Sequence, residues 1–531
     1  MVHRFDLDRR RFLTRATALG LSAATARTLA GVRQAAAQTA PRTDLARIAM
    51  PLPALTDPRH FVRSEAANVC RGWLEYLVEY QRDGAFVGVL LDTWTVEDAA
   101  RTYRLTLRAG VTWSNGDPFT AADVAHNITR WCDAGDPANS MATRMAALID
   151  PDTQALRTGG VEVADDLTLI LRLARPDTTL IAGCADYPAA IVHPSYGGGD
   201  PWQGAIGTGP YLPDGPYMPG QSAALQARAD WWGSDVVGGP FLDRIEFVDL
   251  GPDPAAPIRA LNASEIDLID GATGVAAGVL DTQGYPRSEV PSTATLVLRA
   301  RAATDFDGFK PYELPEVRQA IALAIDPELP LDLALSGAGE LAANHHVAPS
   351  QPDYAEVGAP RHAPGEARSV LDTVGMLEFP HQLISPRTGW VADTADVMAA
   401  MLNDAGLSVD RVTLPDADFW ADWRAHPFAV TPWAGRPFGL QTLALGYTTG
   451  SAWNETGYAN AEFDAKIAAA QALDPAARQG LMAELQGMLL ADGVIIQPYW
   501  RRLMRHTRRA MVGAEAHPGG ELHLYKLGFA A

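Results

Sequence analysis

Cationic charge is in short supply along this 531-residue chain: 43 lysines and arginines stand against 63 aspartates and glutamates, a formal net charge of −20. Nucleic acid or an anionic membrane surface is therefore an unfavourable partner. Cysteine is nearly absent, with only Cys70, Cys132 and Cys184, at spacings that match no metal site. Their odd count and wide separation favour buried free thiols over a disulfide. Beyond residue 37 there is no run of about 18 apolar residues, so no membrane-spanning helix is expected. Internal repeats and low-complexity tracts are missing, as are HExxH, CxxC, GxSxG and SxxK, the short signatures of zinc, redox and serine chemistry. The sole histidine pair, His345-His346, points its side chains to opposite sides of an extended chain, a poor arrangement for sharing a metal. Paired glycosidase-type carboxylates stay open, because they need no proximity in sequence.

What is present is the composition of a soluble globular protein, 47% hydrophobic and 20% charged, too long for one core of usual size. Two or three lobes are expected. The N-terminus reads as an address. Arg9-Arg10-Arg11-Phe12-Leu13 precedes an Ala/Leu-rich stretch from Ala16 to Ala30, and Ala35-Ala36-Ala37 offers a cleavage site before Gln38. This resembles a twin-arginine export signal. Cleavage after residue 37 removes seven arginines and two aspartates and leaves the mature chain still more acidic. The segment holds no cysteine, so no lipid anchor is expected and a soluble periplasmic product is.

The stretch from Thr102 to Trp131 organises the reading. Tyr103, Leu105 and Leu107 alternate with polar neighbours, as in a strand with one buried face. Ser114-Asn115-Gly116-Asp117-Pro118 supplies a turn, and Thr120 with Asp123 forms a capping-box start to a helix that carries Val124, Ile128 and Trp131 on one face. Trp113 is expected to pack, with the cleft as the alternative. Further on, Val161-Glu162-Val163 and Leu167 to Leu173 predict a hairpin, Ser64 to Glu79 a helix, Phe428 to Pro432 a buried strand, and Phe438 to Tyr458 a long loop. Helices are expected from Pro315, from Pro364, over 392–406, over 460–470 and from Asp474 to Leu490. Gly207-Thr208-Gly209-Pro210-Tyr211 fails as a phosphate loop because no Lys-Ser/Thr follows it.

Several of these strings resemble the family 5 extracellular solute-binding proteins, the peptide, nickel and opine receptors of ABC importers. They are the strand ending in Leu107-Arg108 with its turn and Phe119-Thr120-Ala121, Gly207-Thr208-Gly209-Pro210-Tyr211 with Trp231-Trp232, and Val317-Arg318-Gln319-Ala320-Ile321 with Ala324-Ile325-Asp326. The resemblance implies an α/β, two-lobed periplasmic binding protein fold of the large type, with an extra subdomain, closing by a hinge. It places a first lobe at 38–300, the subdomain at about 80–200, a second lobe at 301–497 and a return to the first lobe at 498–531. It further implies a monomeric, non-catalytic receptor without cofactor or metal, with a small-molecule or short-peptide ligand and ABC permease subunits as partners.

Binding chemistry is expected after the strand at Trp433. Trp433 and Trp453 supply apolar faces, Arg436 a fork of donors suited to a carboxylate, and Asn454 an amide. Core packing is the alternative for the tryptophans, and a salt bridge for Arg436. His346 and Arg59 complete the candidate set, Arg59 because the family's first strand opens into the cleft there. Peptide receptors of the family carry "W-x-x-D-Y-x-D-P" at this place, with an acid for the peptide amine. Here Trp433-Ala434-Gly435-Arg436-Pro437 lacks that acid and has a cation nearby, which favours an acid-bearing ligand over a simple dipeptide. The absence of histidine from 437–458 argues against a nickel chelate. The rival classes are a periplasmic hydrolase or cofactor enzyme exported folded, and a chaperone-like or signalling receptor on the same fold.

Overall fold

A computed structural model describes residues 45–204 and 206–530, so the export-signal reading at 1–37 lies outside the described residues. An 11-stranded mixed sheet runs through the molecule. In one half the order is Tyr211–Pro213, Ser222–Ala227, Arg244–Val248, Leu45–Ala49 and Leu268–Asp270. In the other it is Phe428–Trp433, Pro380–Pro386 and Ser408–Leu414. Two long antiparallel strands, Arg287–Ala300 and Tyr499–Thr507, lie between the halves and join them. Leu45–Ala49 is parallel to both neighbours, and Ala46 and Ile48 are fully buried, as expected where both faces of a sheet are covered.

The organising stretch builds a separate layer. Thr102–Leu107 sits in a four-stranded antiparallel sheet with Leu91–Glu97, Thr168–Arg172 and Val161–Asp165, and the helix Ala121–Trp131 follows the turn. Tyr103, Leu105 and Leu107 are buried, as are Val124, Ile128 and Trp131, so strand and helix bury the faces that their periodicity predicts. The Asp123 carboxylate accepts the Thr120 N–H at 2.8 Å and the Trp113 indole N–H at 3.2 Å. Trp113 is therefore a packing residue.

Close backbone approach explains Gly207-Thr208-Gly209. A Cβ on Gly207 would lie 1.8 Å from the Trp73 carbonyl, and the Gly209 N–H donates to that same oxygen at 3.0 Å. The loop docks on the turn at Gly72-Trp73. That turn ends the helix at Ser64 sooner than its apolar spacing predicts: it spans Ser64–Cys70, and Val78–Tyr80 is a strand paired with Phe86–Gly88. Val69, Trp73, Tyr76 and Leu77 are all buried, because the chain packs inward on either side of the turn.

The predicted loop over 438–458 is corrected to include a helix, Gly439–Tyr447, every residue of which is buried. It has no polar face to show a period, and its first N–H groups are met from afar, the Leu440 N–H by Asp353 Oδ2 at 3.0 Å. Its glycines are packing residues: a Cβ on Gly439 would meet Val347 at 2.5 Å. The last helix spans Gln479–Ala491, with Asp474 capping the turn before it through Ala476 and Ala477 N–H groups at 2.9 and 3.0 Å.

One apolar cluster gathers Ile48, Trp73, Leu225 and Phe247, and another Leu296, Ile321, Met398 and Phe428. Leu443, Phe463 and Leu485 join the first cluster, although they lie within 301–497, the stretch that the resemblance gives to the second lobe. The Thr178 N–H donates to the Gln471 carbonyl at 2.9 Å and ties these helices to the subdomain. All three cysteines are buried and free, and no helix among the described residues is long and apolar enough to cross a membrane.

Candidate functional site

A cleft of about 1780 Å³ opens between the lobes. Its first-lobe wall begins just after the strand Leu45–Ala49, and its second-lobe wall includes the start of the helix Gly389–Asp404 and the short helix Asp416–Ala421. The joining strand Tyr499–Thr507 contributes Arg501 and Arg505. Both lobes thus line the cleft from opposite sides.

Several charges in the cleft are matched, while Arg301, Arg387 and Arg424 line it with no ion pair among the described residues. Arg505 Nε pairs with Asp270 at 2.7 Å, and Arg63 Nη2 with Glu65 at 3.3 Å. Burial pushes the Glu65 carboxyl up, and Arg63 with Arg501 outweighs that and holds it below its ordinary value. Arg63 also reaches across: Nη1 lies 3.8 Å from Asp416 of the other lobe, and the guanidinium stands 5.8 Å from the Trp420 ring centre. The Arg424 Nη1–H group donates to the Pro137 carbonyl at 3.2 Å, a second link between the walls.

Arg501 is different. Its guanidinium stacks 3.8 Å from the centre of the Trp390 ring, its Nε is buried without an acceptor, and it forms no ion pair among the described residues. Burial pushes its pKa down to about 10, a group still protonated at neutral pH.

Behind the aromatic wall lies a second arrangement. The Trp433 indole N–H donates to Glu455 at 2.8 Å, and Glu455 is itself fixed by the fully buried Arg299 at 2.9 Å, so the end of the strand Phe428–Trp433 is rigidly posed. Trp453 stacks on Tyr187 with ring centres 5.8 Å apart, and the Arg144 and Arg436 guanidiniums lie 5.1 and 4.8 Å from its own centre. Asp186 Oδ2 accepts from Nε of both arginines at 2.9 Å. Burial alone would raise the Asp186 pKa, but Arg144 and Arg436 bring it down to about 2. The three groups sum to one positive charge. Arg436 Nη2 and Trp453 Nε1 are left as buried donors without acceptors, and both residues line a niche of about 20 Å³. Trp433, Trp453 and Val62 line niche and cleft alike, so the niche adjoins the cleft.

The sequence candidates therefore divide. Trp433, Trp453 and Asn454 line the cleft, and Arg436 lies behind it in the niche. The Asn454 amide is spent within its loop, donating to Thr448 and Tyr458 carbonyls at 3.1 and 2.7 Å. His346 is buried against Trp433, bonded through Nδ1 to the Tyr447 hydroxyl at 2.6 Å, with a pKa pushed down to about 3 by burial. It is outside the cleft lining and packs the wall from behind. Arg59 is likewise outside it, held among Asp57, Asp133 and Asp136 at 3.4, 3.3 and 3.2 Å, while its neighbour His60 does line the cleft.

Sequence reasoning missed Arg501, Trp390, Arg63, Glu65, Asp416 and Trp420. The available signal was Trp500-Arg501-Arg502 on a strand otherwise apolar at its start, but only the fold shows that this strand floors the cleft. His517, Glu521 and His523 bring ligand atoms within 4.8 Å of one another. Arg71 stands 3.3 Å from Glu521, and Lys526 Nζ 3.3 Å from His523 Nδ1, so cations already occupy the surroundings and the trio is part of a charge network.

The family model for bacterial extracellular solute-binding proteins, family 5 Middle, matches residues 85–455. The dipeptide-binding protein DppE of Bacillus subtilis is 22% identical over 85% of this chain and 85% of its own length. The nickel-binding periplasmic protein of Escherichia coli is 26% identical over 57% of this chain and 55% of its own. Among solved structures, AgaA of A. tumefaciens R10 in complex with agropinic acid superposes with a TM-score of 0.80 at 19% identity, covering 92% of this chain and 99% of that one. Haemophilus influenzae OppA in complex with a peptide gives 0.81 at 18%, covering 93% and 100%. A two-lobed α/β scaffold with a cleft between its lobes and a family match over most of its length: the chain belongs to the bacterial extracellular solute-binding proteins of family 5.

Proposed function

We propose that this protein is the periplasmic receptor of an ABC importer, capturing a small acid-bearing organic solute and presenting it to the membrane permease. The observation that carries the ligand class is the niche off the cleft, where Arg436 Nη2 and Trp453 Nε1 are unsatisfied donors beside a triad of net positive charge. Unsatisfied buried donors cost about 1–3 kcal/mol each, a cost that an incoming acceptor removes. A carboxylate edge suits a guanidinium fork, and the indole faces of Trp433 and Trp453 suit the apolar or sugar-like body that carries it. Amino-acid conjugates of the opine kind, sugar acids and acidic peptides meet this description.

The first lobe is taken as residues 38–300 with the return at 498–531, the subdomain as about 80–200, and the second lobe as 301–497. Closure bends the two joining strands, near the register shift between Pro291 and Thr295. It brings Arg63 towards Asp416 and excludes water, which strengthens each charged contact inside. Export uses the arginine-rich N-terminal segment, and the mature protein is released as a soluble monomer without a lipid anchor. It works as a receptor, without catalysis, cofactor or metal.

A thermal-shift panel of neutral, cationic and acidic peptides, opine-like conjugates and sugar acids tests the ligand class. Stabilisation by acid-bearing members is expected. Stabilisation confined to cationic peptides contradicts the proposal.

A further inference from the structure

The niche leaves the other cationic feature of the cleft unexplained. Arg501 stands on the floor, its guanidinium stacked at 3.8 Å on Trp390 and its buried Nε without an acceptor. The acids near it are committed elsewhere: Glu65 to Arg63 at 3.3 Å and Asp270 to Arg505 at 2.7 Å. A stacked guanidinium is pre-organised, because the aromatic face fixes its plane and leaves its edge donors free for a planar partner. The protein holds this guanidinium half-buried, stacked and without an ion pair in its cleft. Such a group loses hydration in the empty protein and regains it through an anion.

The sheet register spaces the strands that carry the two features. Thr295 is the register partner of both Trp433 and Trp500, so these two tryptophans lie two strand spacings apart, about 10 Å. Trp433 lines the niche, and Arg501 is the residue after Trp500. Arg501 lines the cleft and Arg436 the niche beside it, and the strand positions that lead to them, Trp500 and Trp433, stand on the order of 10 Å apart.

We propose that Arg501, held by Trp390, is a second acid-binding point, and that the cleft selects solutes carrying two acid groups at opposite ends of one small skeleton. This rests on the acid-ligand reading above and adds the second acid. One acid reaches the Arg436–Trp453 niche and the other meets the Arg501 fork. Monoacids satisfy one point and leave the other guanidinium buried and unpaired on closure. A doubly charged ligand also offsets the two cations together, which a simple dipeptide, bearing an amine at one end, does not.

The test is calorimetric titration with opine-like iminodiacids and the two mono-amides of each, on the wild type, Arg501→Gln and Arg501→Lys. The wild type is expected to prefer the diacid to either mono-amide by about tenfold or more. Arg501→Gln should abolish the preference over one mono-amide and keep it over the other, and Arg501→Lys should restore part of it. Melting temperatures of the empty variants serve as the folding control, and Trp390→Leu, which keeps the arginine and removes its platform, gives an intermediate loss. Diacid affinity within about twofold of wild type in Arg501→Gln, with acids still binding, overturns this inference alone. Failure of every acid to bind while a neutral or cationic ligand does overturns the acid-ligand reading itself.

Discussion

Arg436 and Arg501 make a controlled comparison inside one protein. Each is a guanidinium set against tryptophan, Arg501 in the lining of the cleft and Arg436 in the niche that adjoins it. Arg436 is neutralised by Asp186 at 2.9 Å and shares that acid with Arg144, so most of its donors serve the fold and one Nη2 remains. Arg501 has an aromatic ring in place of a paired acid, and feels Glu65 and Asp270 only as neighbours that are paired elsewhere. The difference separates a cation whose buried acid ties most of its donors to the fold, leaving one for the proposed ligand, from a cation that keeps its edge donors for that ligand. Only the partner distinguishes them.

The largest effect that would break this contrast is at Asp186. Asp186→Asn leaves Arg144 and Arg436 buried with no acid between them, and unfolding free energy by urea denaturation should fall by about 3–5 kcal/mol. A loss below about 1 kcal/mol would mean that the triad is not structural. The same pair has a pH signature. The Asp186 pKa is lowered to about 2, so its stabilisation is fully present above the unfolded-state value near 4 and is lost as the pH falls through 2. The stability gap between wild type and Asp186→Asn should therefore be constant above about pH 5 and close between roughly pH 4 and 2. A gap independent of pH throughout would assign the effect to shape alone.

Arg501→Gln is the converse case. It should weaken ligand binding by about tenfold or more while changing stability by less than about 0.5 kcal/mol, because no ion pair is lost. A large destabilisation with unchanged affinity would reverse the two roles. Trp390→Leu should cost about 0.5–2 kcal/mol of binding through the lost platform. The smallest effect is expected from Arg63→Gln. Its 3.8 Å link to Asp416 is long and partly exposed, so only a few tenths of a kcal/mol of closure are at stake, and a slight increase in the radius of gyration of the empty protein in small-angle scattering would register it.

How legible each feature was follows from the range of its causes. The unit at 102–131 is local: alternation, a Gly-Pro turn and a capping box lie within one stretch and agree, so strand and helix are read where they stand. The helix Gly439–Tyr447 is not local, since its cap is Asp353 and its burial is complete on every side, leaving no period to read. Trp433 and Trp453 were found as aromatics around a strand end, and they do line the cleft. Arg501 was invisible because its meaning depends on Trp390, a residue more than a hundred positions away. Arg59 and His346 carried the right chemistry, but acids and a tyrosine close to them in space hold them outside the cleft lining.

The most direct test is the identity of the cargo. Mass spectrometry of the solute released by denaturing protein purified from its native periplasm should reveal a small organic anion with carboxylates at two ends of its skeleton. Release of a cationic peptide or of a metal chelate without free acid groups would contradict the account.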